Sequence, residues 1–269
     1  MKLIDLLKLI FKNSGTNPVF LLGEGTNLLV SDAGIRGIVV SMKNNFKLVH
    51  EKELPTNLRG NQKVLIKAEA GVKTSYLAKR TARLGLTGLE ELAGIPGSLG
   101  GVLHMNAGAE GKEVGSLVKQ LTILTPDGEI KTILKKDIKF GYRKVSYPFP
   151  VGVIIEVQLE LIKGNPVTIQ NKITNYLDRR KNTQPLNLPN SGSVFKNPPD
   201  NKAGKLIEAA GLKGYSIGDA GISLKHANFI VNKGNATARD VVKLIKLVQK
   251  KVKEHSGYEL EKEIIFAGI

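Results

Sequence analysis

The chain has 269 residues, 41% hydrophobic and 24% charged, enough for one large domain or two ordinary ones with cores of their own. It contains no cysteine, which excludes disulfides, thiolate metal sites, iron–sulfur clusters and cysteine nucleophiles, and its four histidines (His50, His104, His226 and His255) lie too far apart for common zinc motifs. A net charge of +16 sets up a field that attracts nucleic acid, acidic membrane surfaces and phosphorylated small molecules alike.

Leu3, Ile4, Leu7, Ile10 and Phe11 fall on one helical stripe, with Asp5 and Lys8 between them. The opening segment is therefore predicted to be an amphipathic helix rather than a leader peptide. No apolar run approaches the ~20 residues of a membrane span, so a cytoplasmic protein is expected. Runs at 19–22, 28–30 and 38–41 predict three strands, separated by Gly23-Glu24-Gly25-Thr26-Asn27 and by Ser31-Asp32-Ala33-Gly34. A strand is predicted at 64–70, then a helix over 75–84 with Thr74 as its cap and Gly85 as its stop. Two glycine clusters follow, Gly94 to Gly101 and Asn106 to Gly111. Residues 117–125 and 129–134 read as a hairpin about Pro126-Asp127-Gly128, and 153–161 as a further strand.

Lys163-Gly-Asn-Pro166 suggests a boundary, dividing the chain into 1–163 and 164–269. Beyond it, helices are predicted over 169–181, 203–210 and 238–255. The last has Thr237 and Asp240 at capping-box spacing and a buried stripe of Val241, Leu244, Val248 and Val252. Its row of Lys243, Lys246, Lys250 and Lys253 reads as a solvated face, so neither a nucleic-acid partner nor membrane insertion is expected.

Gly23 and Gly25 follow a strand, but the third glycine of a dinucleotide fingerprint would fall on Leu28 and no helix follows, so the Rossmann reading fails. What remains is either a plain hairpin turn or an anion-binding nest with the Thr26 hydroxyl and Asn27 amide beside it. In the Gly94-to-Gly101 cluster the missing β-carbons would let main-chain amides approach a pyrophosphate; the alternative is a tight helix–loop junction. Arg143, set among Phe140, Tyr142 and Tyr147, is placed to grip a carboxylate or phosphate in two-pronged fashion, or else to make a surface ion pair. The segment from Asn190 to Pro198 concentrates hydroxyl, ammonium and amide groups around Phe195. His104 is assigned no chemistry.

Together these strings resemble the UDP-N-acetylenolpyruvoylglucosamine reductase family, flavoenzymes of bacterial peptidoglycan precursor synthesis. The matching segments are 22–33, AGIPGSLGGVLHMNAGAEG from Ala93 to Gly111, FGYR from Phe140 to Arg143, NSGSVFKNP from Asn190 to Pro198, the stretch from Ala203 to Asn232, and LEKEI from Leu260 to Ile264. They run in family order across nearly the whole chain. The resemblance implies an α+β fold, with a two-subdomain FAD-binding region of the vanillyl-alcohol-oxidase (PCMH) type followed by an α+β substrate-binding domain. It implies non-covalent FAD surrounded by Gly23, Gly25, Thr26, Asn27, Gly97, Ser98, Gly101, Asn106 and Gly108, and NADPH as co-substrate.

The implied reaction has two stages: NADPH reduces the flavin, and the enolpyruvyl ether of UDP-N-acetylglucosamine is then reduced in turn. Ser193 would donate the proton, while Arg143 and Glu263 would sit against the substrate carboxylate. Glu263 is expected to be protonated or bridged by a cation, with Glu261 as the fallback. Arg180 and Asn197 would hold the UDP pyrophosphate, and Lys196, also expected at the substrate, or water would help compensate the Ser193 alkoxide. The short span between Arg143 and Ser193 resembles the second, shorter type of the family, which lacks a tyrosine-bearing loop. The rival readings are a flavin oxidase of small alcohols on the same fold, and a non-catalytic basic protein that binds nucleic acid.

Overall fold

The period-two pattern of Val153–Lys163 organises the first half of the fold. Buried Val157, Leu159 and Leu161 alternate with Glu156, Gln158 and Glu160, so one side of the strand is apolar and the other charged. The strand pairs antiparallel with Val118–Leu124 on one side and Lys63–Glu69 on the other, and Ile130–Leu134 and Val49–Glu53 lie outside these. The short strand Leu86–Thr87 pairs with its end. On the charged side Glu160 meets Lys63 and Lys119, and Glu156 meets Lys67.

The computed structural model describes residues 3–43, 45–54 and 62–268. The chain divides into two units, Met1–Glu24 with Gly37–Asp178, and Gly25–Arg36 with Arg179–Ile269. In the first unit a register shift between Ile154 and Glu156 splits the apolar residues between two cores. Val153 and Ile155 join Val40, Met42, Leu124 and Leu7 of helix α1 (Leu3–Asn13) in the smaller one. The larger collects Val157, Leu159 and Leu161 with Leu77 of α2 (Thr74–Arg83) and Leu99 and Leu103 of α3 (Leu99–His104). Ile169 and Ile173 of α4 (Pro166–Thr183) complete it. Gly85 stops α2 at φ +69° as predicted, but Thr74 is not the cap. Lys73 holds that position without a side-chain bond, and the Thr74 hydroxyl donates instead to the Ile95 carbonyl at 2.7 Å.

In the second unit four antiparallel strands lie in the order Asn190–Ser193, Phe229–Asn232, Ala220–Ile222, Ser216–Ile217. One face packs on α5 (Ala203–Ala209) and α6 (Ala238–Ser256) through Ile207, Ile222, Ile230, Leu244, Val248 and Val252. The Thr237–Asp240 capping box is present and Gly257 ends α6 in the left-handed region. Ile245 belongs to the buried stripe, with Val241 at its margin. The chain is α+β throughout, and among the described residues no helix is long and apolar enough to cross a membrane.

The three N-terminal strands do not form a meander. Val19–Leu22 pairs parallel with Ile38–Ser41 in the first unit, whereas Leu28–Val30 pairs parallel with Ile265–Ala267 in the second. Residues 25–36 also deliver Asp32 to the start of α6, where its carboxylate accepts the Ala238 amide at 2.7 Å and the Arg239 amide at 3.1 Å. A carboxylate on the first amides of a helix satisfies otherwise orphaned donors and complements the helix dipole. Asp32→Ala is expected to cost about 1–2 kcal/mol, read as a lower urea midpoint at unchanged slope, whereas Lys250→Ala on the solvated face of α6 stays within about 0.5 kcal/mol of wild type.

Candidate active site

The Gly23 turn and the Gly94-to-Gly101 cluster meet in the first unit. Ser98 caps α3, its Oγ accepting the Gly101 amide at 3.4 Å. A β-carbon on Gly23 would sit 3.1 Å from that same oxygen, so the turn after Val19–Leu22 runs directly against the helix start. Gly97 has φ +135°, a conformation that L side chains rarely adopt. Gly23, Gly97, Ser98 and Gly101 thus form a surface made largely of main chain, with the Leu99, Gly100 and Gly101 amides held by the Val72 carbonyl, the Ala70 carbonyl and the Ser98 hydroxyl. Such a surface fits the diphosphate of a dinucleotide. Gly25, Thr26 and Asn27 continue the turn into the second unit, with Gly25 exposed at φ +70°.

Asn106 has no exposed surface and lies at φ +42°. Its amide donates to the Glu113 carboxylate at 2.5 Å and the Gly141 carbonyl at 2.9 Å, and its carbonyl accepts the Gly115 amide at 3.0 Å. Those bonds tie the second glycine string to the hairpin of Lys139–Gly141 and Lys144–Ser146, whose two-residue turn is Tyr142-Arg143. Arg143 is itself at φ +53°. Its Nη2 donates to the Gly108 carbonyl at 3.3 Å, and its guanidinium stands 4.9 Å from the centre of the Tyr142 ring. Asn106, Gly108 and Arg143 are therefore one assembly. Beyond the turn, burial pushes the Tyr147 hydroxyl up to about 12, so the ring stays a neutral phenol.

The second unit brings Ser193 and Glu263 onto neighbouring segments. Ser193 ends the strand Asn190–Ser193 opposite Phe229, and the carbonyl of the next residue, Val194, accepts the Glu263 amide at 2.8 Å. Asn228, which the sequence reading did not single out, is buried and clamps Phe195 from both sides: it accepts the Phe195 amide at 3.0 Å and donates to its carbonyl at 2.8 Å. His226 stacks edge-on against Phe229 at 4.9 Å, and burial holds its imidazole below its ordinary pKa. Asn27 donates to the Glu263 carbonyl at 3.2 Å. Glu261 forms an exposed ion pair with Lys196, which engages both the fallback carboxylate and a cation expected at the substrate. The Asn197 side chain accepts the Ala203 amide at 3.0 Å, at the start of α5, and Arg180 donates to Gln184 at 2.9 Å.

A cavity of about 780 Å³ lies in this unit beside residues 184–188. Leu186, Leu188 and Val231 give it apolar walls, Lys181, Lys225 and Lys233 line it, and no carboxylate is among its lining residues. Val231 is two positions along its strand from Phe229, the partner of Ser193, and so lies on the same sheet face. Nothing in the spacing of residues 181, 225 and 233 announces this cluster.

Residues 184–267 match the family described as UDP-N-acetylenolpyruvoylglucosamine reductase, C-terminal domain, and residues 3–134 match FAD binding domain. The chain is 44% identical over 251 residues to the UDP-N-acetylenolpyruvoylglucosamine reductase of Caldanaerobacter subterraneus, covering 93% of this chain and 80% of that one. It is 40% identical over 252 residues to the enzyme of the same name from Geotalea uraniireducens, covering 94% and 80%. The crystal structure of UDP-N-acetylenolpyruvylglucosamine reductase from Thermus caldophilus superposes with a TM-score of 0.77 at 34% identity, covering 97% of this chain and 89% of that one.

Asn106→Ala removes the partner of three main-chain or carboxylate groups at once. It is expected to cost about 2–4 kcal/mol in thermal or urea unfolding, and the purified variant should carry less flavin than wild type.

Proposed function

The chain belongs to the UDP-N-acetylenolpyruvoylglucosamine reductase family, FAD-dependent oxidoreductases, and from that premise we propose that it uses NADPH to reduce the enolpyruvyl ether of UDP-N-acetylglucosamine to UDP-N-acetylmuramate, in peptidoglycan precursor synthesis. Gly23, Gly97, Ser98 and Gly101 would hold the FAD diphosphate without a covalent bond, with Gly25 and Thr26 following along the turn. FAD, when bound, supplies the hydride chemistry that no side chain of the protein can perform.

The protein's own task is to hold the unsaturated ether and to place a proton on the carbon that carries the carboxylate. Ser193 donates that proton from its hydroxyl. Arg143 holds the carboxylate through its planar fork, and Glu263 sits against the same group, so charge that develops there meets prearranged partners. The observation that carries this assignment is the hydrogen bond from the Glu263 amide to the Val194 carbonyl, which keeps Glu263 beside the residue that follows Ser193. The UDP diphosphate is assigned to the cavity of Lys181, Lys225 and Lys233, in the unit that also carries Arg180, Lys196 and Asn197.

Ser193→Ala should leave reduction of the flavin by NADPH intact and slow its reoxidation by the enolpyruvyl nucleotide by about a hundredfold or more, measured by stopped-flow absorbance of the two half-reactions. Equal slowing of both halves would remove Ser193 from the acid role. Lys225→Glu should raise KM for the nucleotide by about tenfold while KM for NADPH stays put. A change confined to NADPH would place the other nucleotide in the cavity.

A further inference from the structure

We infer that Asn27 is a positioning residue for Glu263: its side chain orients the carboxylate-bearing residue for the substrate half-reaction instead of serving the cofactor. The inference rests on the role proposed above for Glu263. The direction in which a side chain leaves the backbone is set by the two peptide planes that flank its α-carbon. For Glu263 both planes are held. The preceding one is fixed by the Glu263 amide, which donates to the Val194 carbonyl at 2.8 Å. The following one is fixed by the Glu263 carbonyl, which accepts the Asn27 side-chain amide at 3.2 Å. The Asn27 carbonyl in turn accepts the Ile265 amide at 3.0 Å, so Asn27 grips the segment on both sides of Ile264.

This grip begins the parallel pairing in which Leu28, Leu29 and Val30 face Ile265, Phe266 and Ala267. Asn27 is the one member of that run whose side chain, and not only its main chain, bonds across. The partners stand 236 positions apart in the chain, so no local turn would hold them together.

The chemistry is specific to a side-chain amide of this length. Alanine leaves the Glu263 carbonyl without its donor. Aspartate has nearly the same shape but turns an acceptor toward an acceptor when ionised, and regains a donor only when protonated. Asn27 also belongs to the Gly23-to-Asn27 turn, whose earlier residues are assigned to the flavin. A single turn thus connects the cofactor surface covalently to the grip on Glu263, and the oxidative half-reaction is the one that feels its loosening.

The test uses the flavin-loaded full chain with Asn27→Ala and Asn27→Asp. Stopped-flow is expected to show flavin reduction by NADPH close to the wild-type rate in both variants. Reoxidation by the enolpyruvyl nucleotide should slow on the order of tenfold to a hundredfold in Asn27→Ala. In Asn27→Asp the rate relative to wild type should be low near pH 8 and recover as the pH falls toward about 4, where the carboxyl takes up a proton, a pH-dependent rescue that generalised loosening of the fold would not produce. Loss of flavin, or equal slowing of both halves, would make Asn27 a cofactor ligand and overturn the inference. Should the wild-type flavin not be reoxidised by this nucleotide at all, the proposed function fails, and amide hydrogen exchange judges the grip alone. Faster exchange of the Glu263 and Ile265 amides in Asn27→Ala then supports it, and unchanged exchange overturns it.

Discussion

Irregular backbone buried beside a functional side chain must have its amides and carbonyls met, and here asparagine meets them. Regular strands satisfy themselves, but main chain that leaves the ladder needs partners from elsewhere. Asn106 stands in for a missing strand between its own loop, Gly115 and Gly141. Asn228 does so for Phe195, reproducing both bonds of a sheet pair with one side chain. Asn27 does so for Glu263. Asparagine is suited to this because its amide carries a donor and an acceptor on a stem too short to wander. Within the first unit the arrangement holds the Arg143 turn, and within the second it holds the neighbours of Ser193 and Glu263.

The excess of positive charge is distributed by local partners as much as by any ligand. On the sheet of the first unit, Lys63, Lys67 and Lys119 are matched to Glu156 and Glu160. On α6, Lys250 and Lys251 meet Glu254, and Lys253 meets Glu259. Exposed pairs of this kind contribute little to stability, but they reduce the field that a continuous basic stripe would project. The cavity of Lys181, Lys225 and Lys233 differs because no acid lines it. An anion there would meet ammonium groups with no lining carboxylate to compete for them.

What the sequence made legible was whatever is encoded within a few turns or one hairpin. The alternation in Val153–Lys163, the hairpin about Asp127, the helices α4 to α6 and the Thr237–Asp240 cap all carry their signal in adjacent residues, and each stands where the pattern put it. Thr74 is the first helical residue rather than the cap, with its hydroxyl donating to a carbonyl twenty-one positions away, and no local pattern records that. The parallel pairings of Val19–Leu22 and Leu28–Val30 were illegible for the same reason, since strand runs divided by turns look like a meander unless the distant partner is known. For the candidate site, the family resemblance carried by the motifs nominated Ser193, Arg143 and Glu263. The supporting roles of Asp32, Asn106 and Asn228 required coordinates, because each acts on main chain that carries no side-chain signature.

The conformation of Arg143 shows why such support matters. A non-glycine residue in the left-handed region costs on the order of 1 kcal/mol, and both Asn106 and Arg143 occupy it. The strain persists because the Asn106 bonds leave the hairpin turn no easier path. The guanidinium is further restrained by the Gly108 carbonyl and the Tyr142 ring. A free arginine side chain would surrender about 2 kcal/mol of rotamer freedom on gripping a carboxylate. In this fold much of that loss occurs when the chain folds, before any ligand arrives. Folding energy from a buried amide network is thereby converted into a cation already aimed, and this explains why a fully buried asparagine with three partners belongs beside the arginine rather than in a distant core.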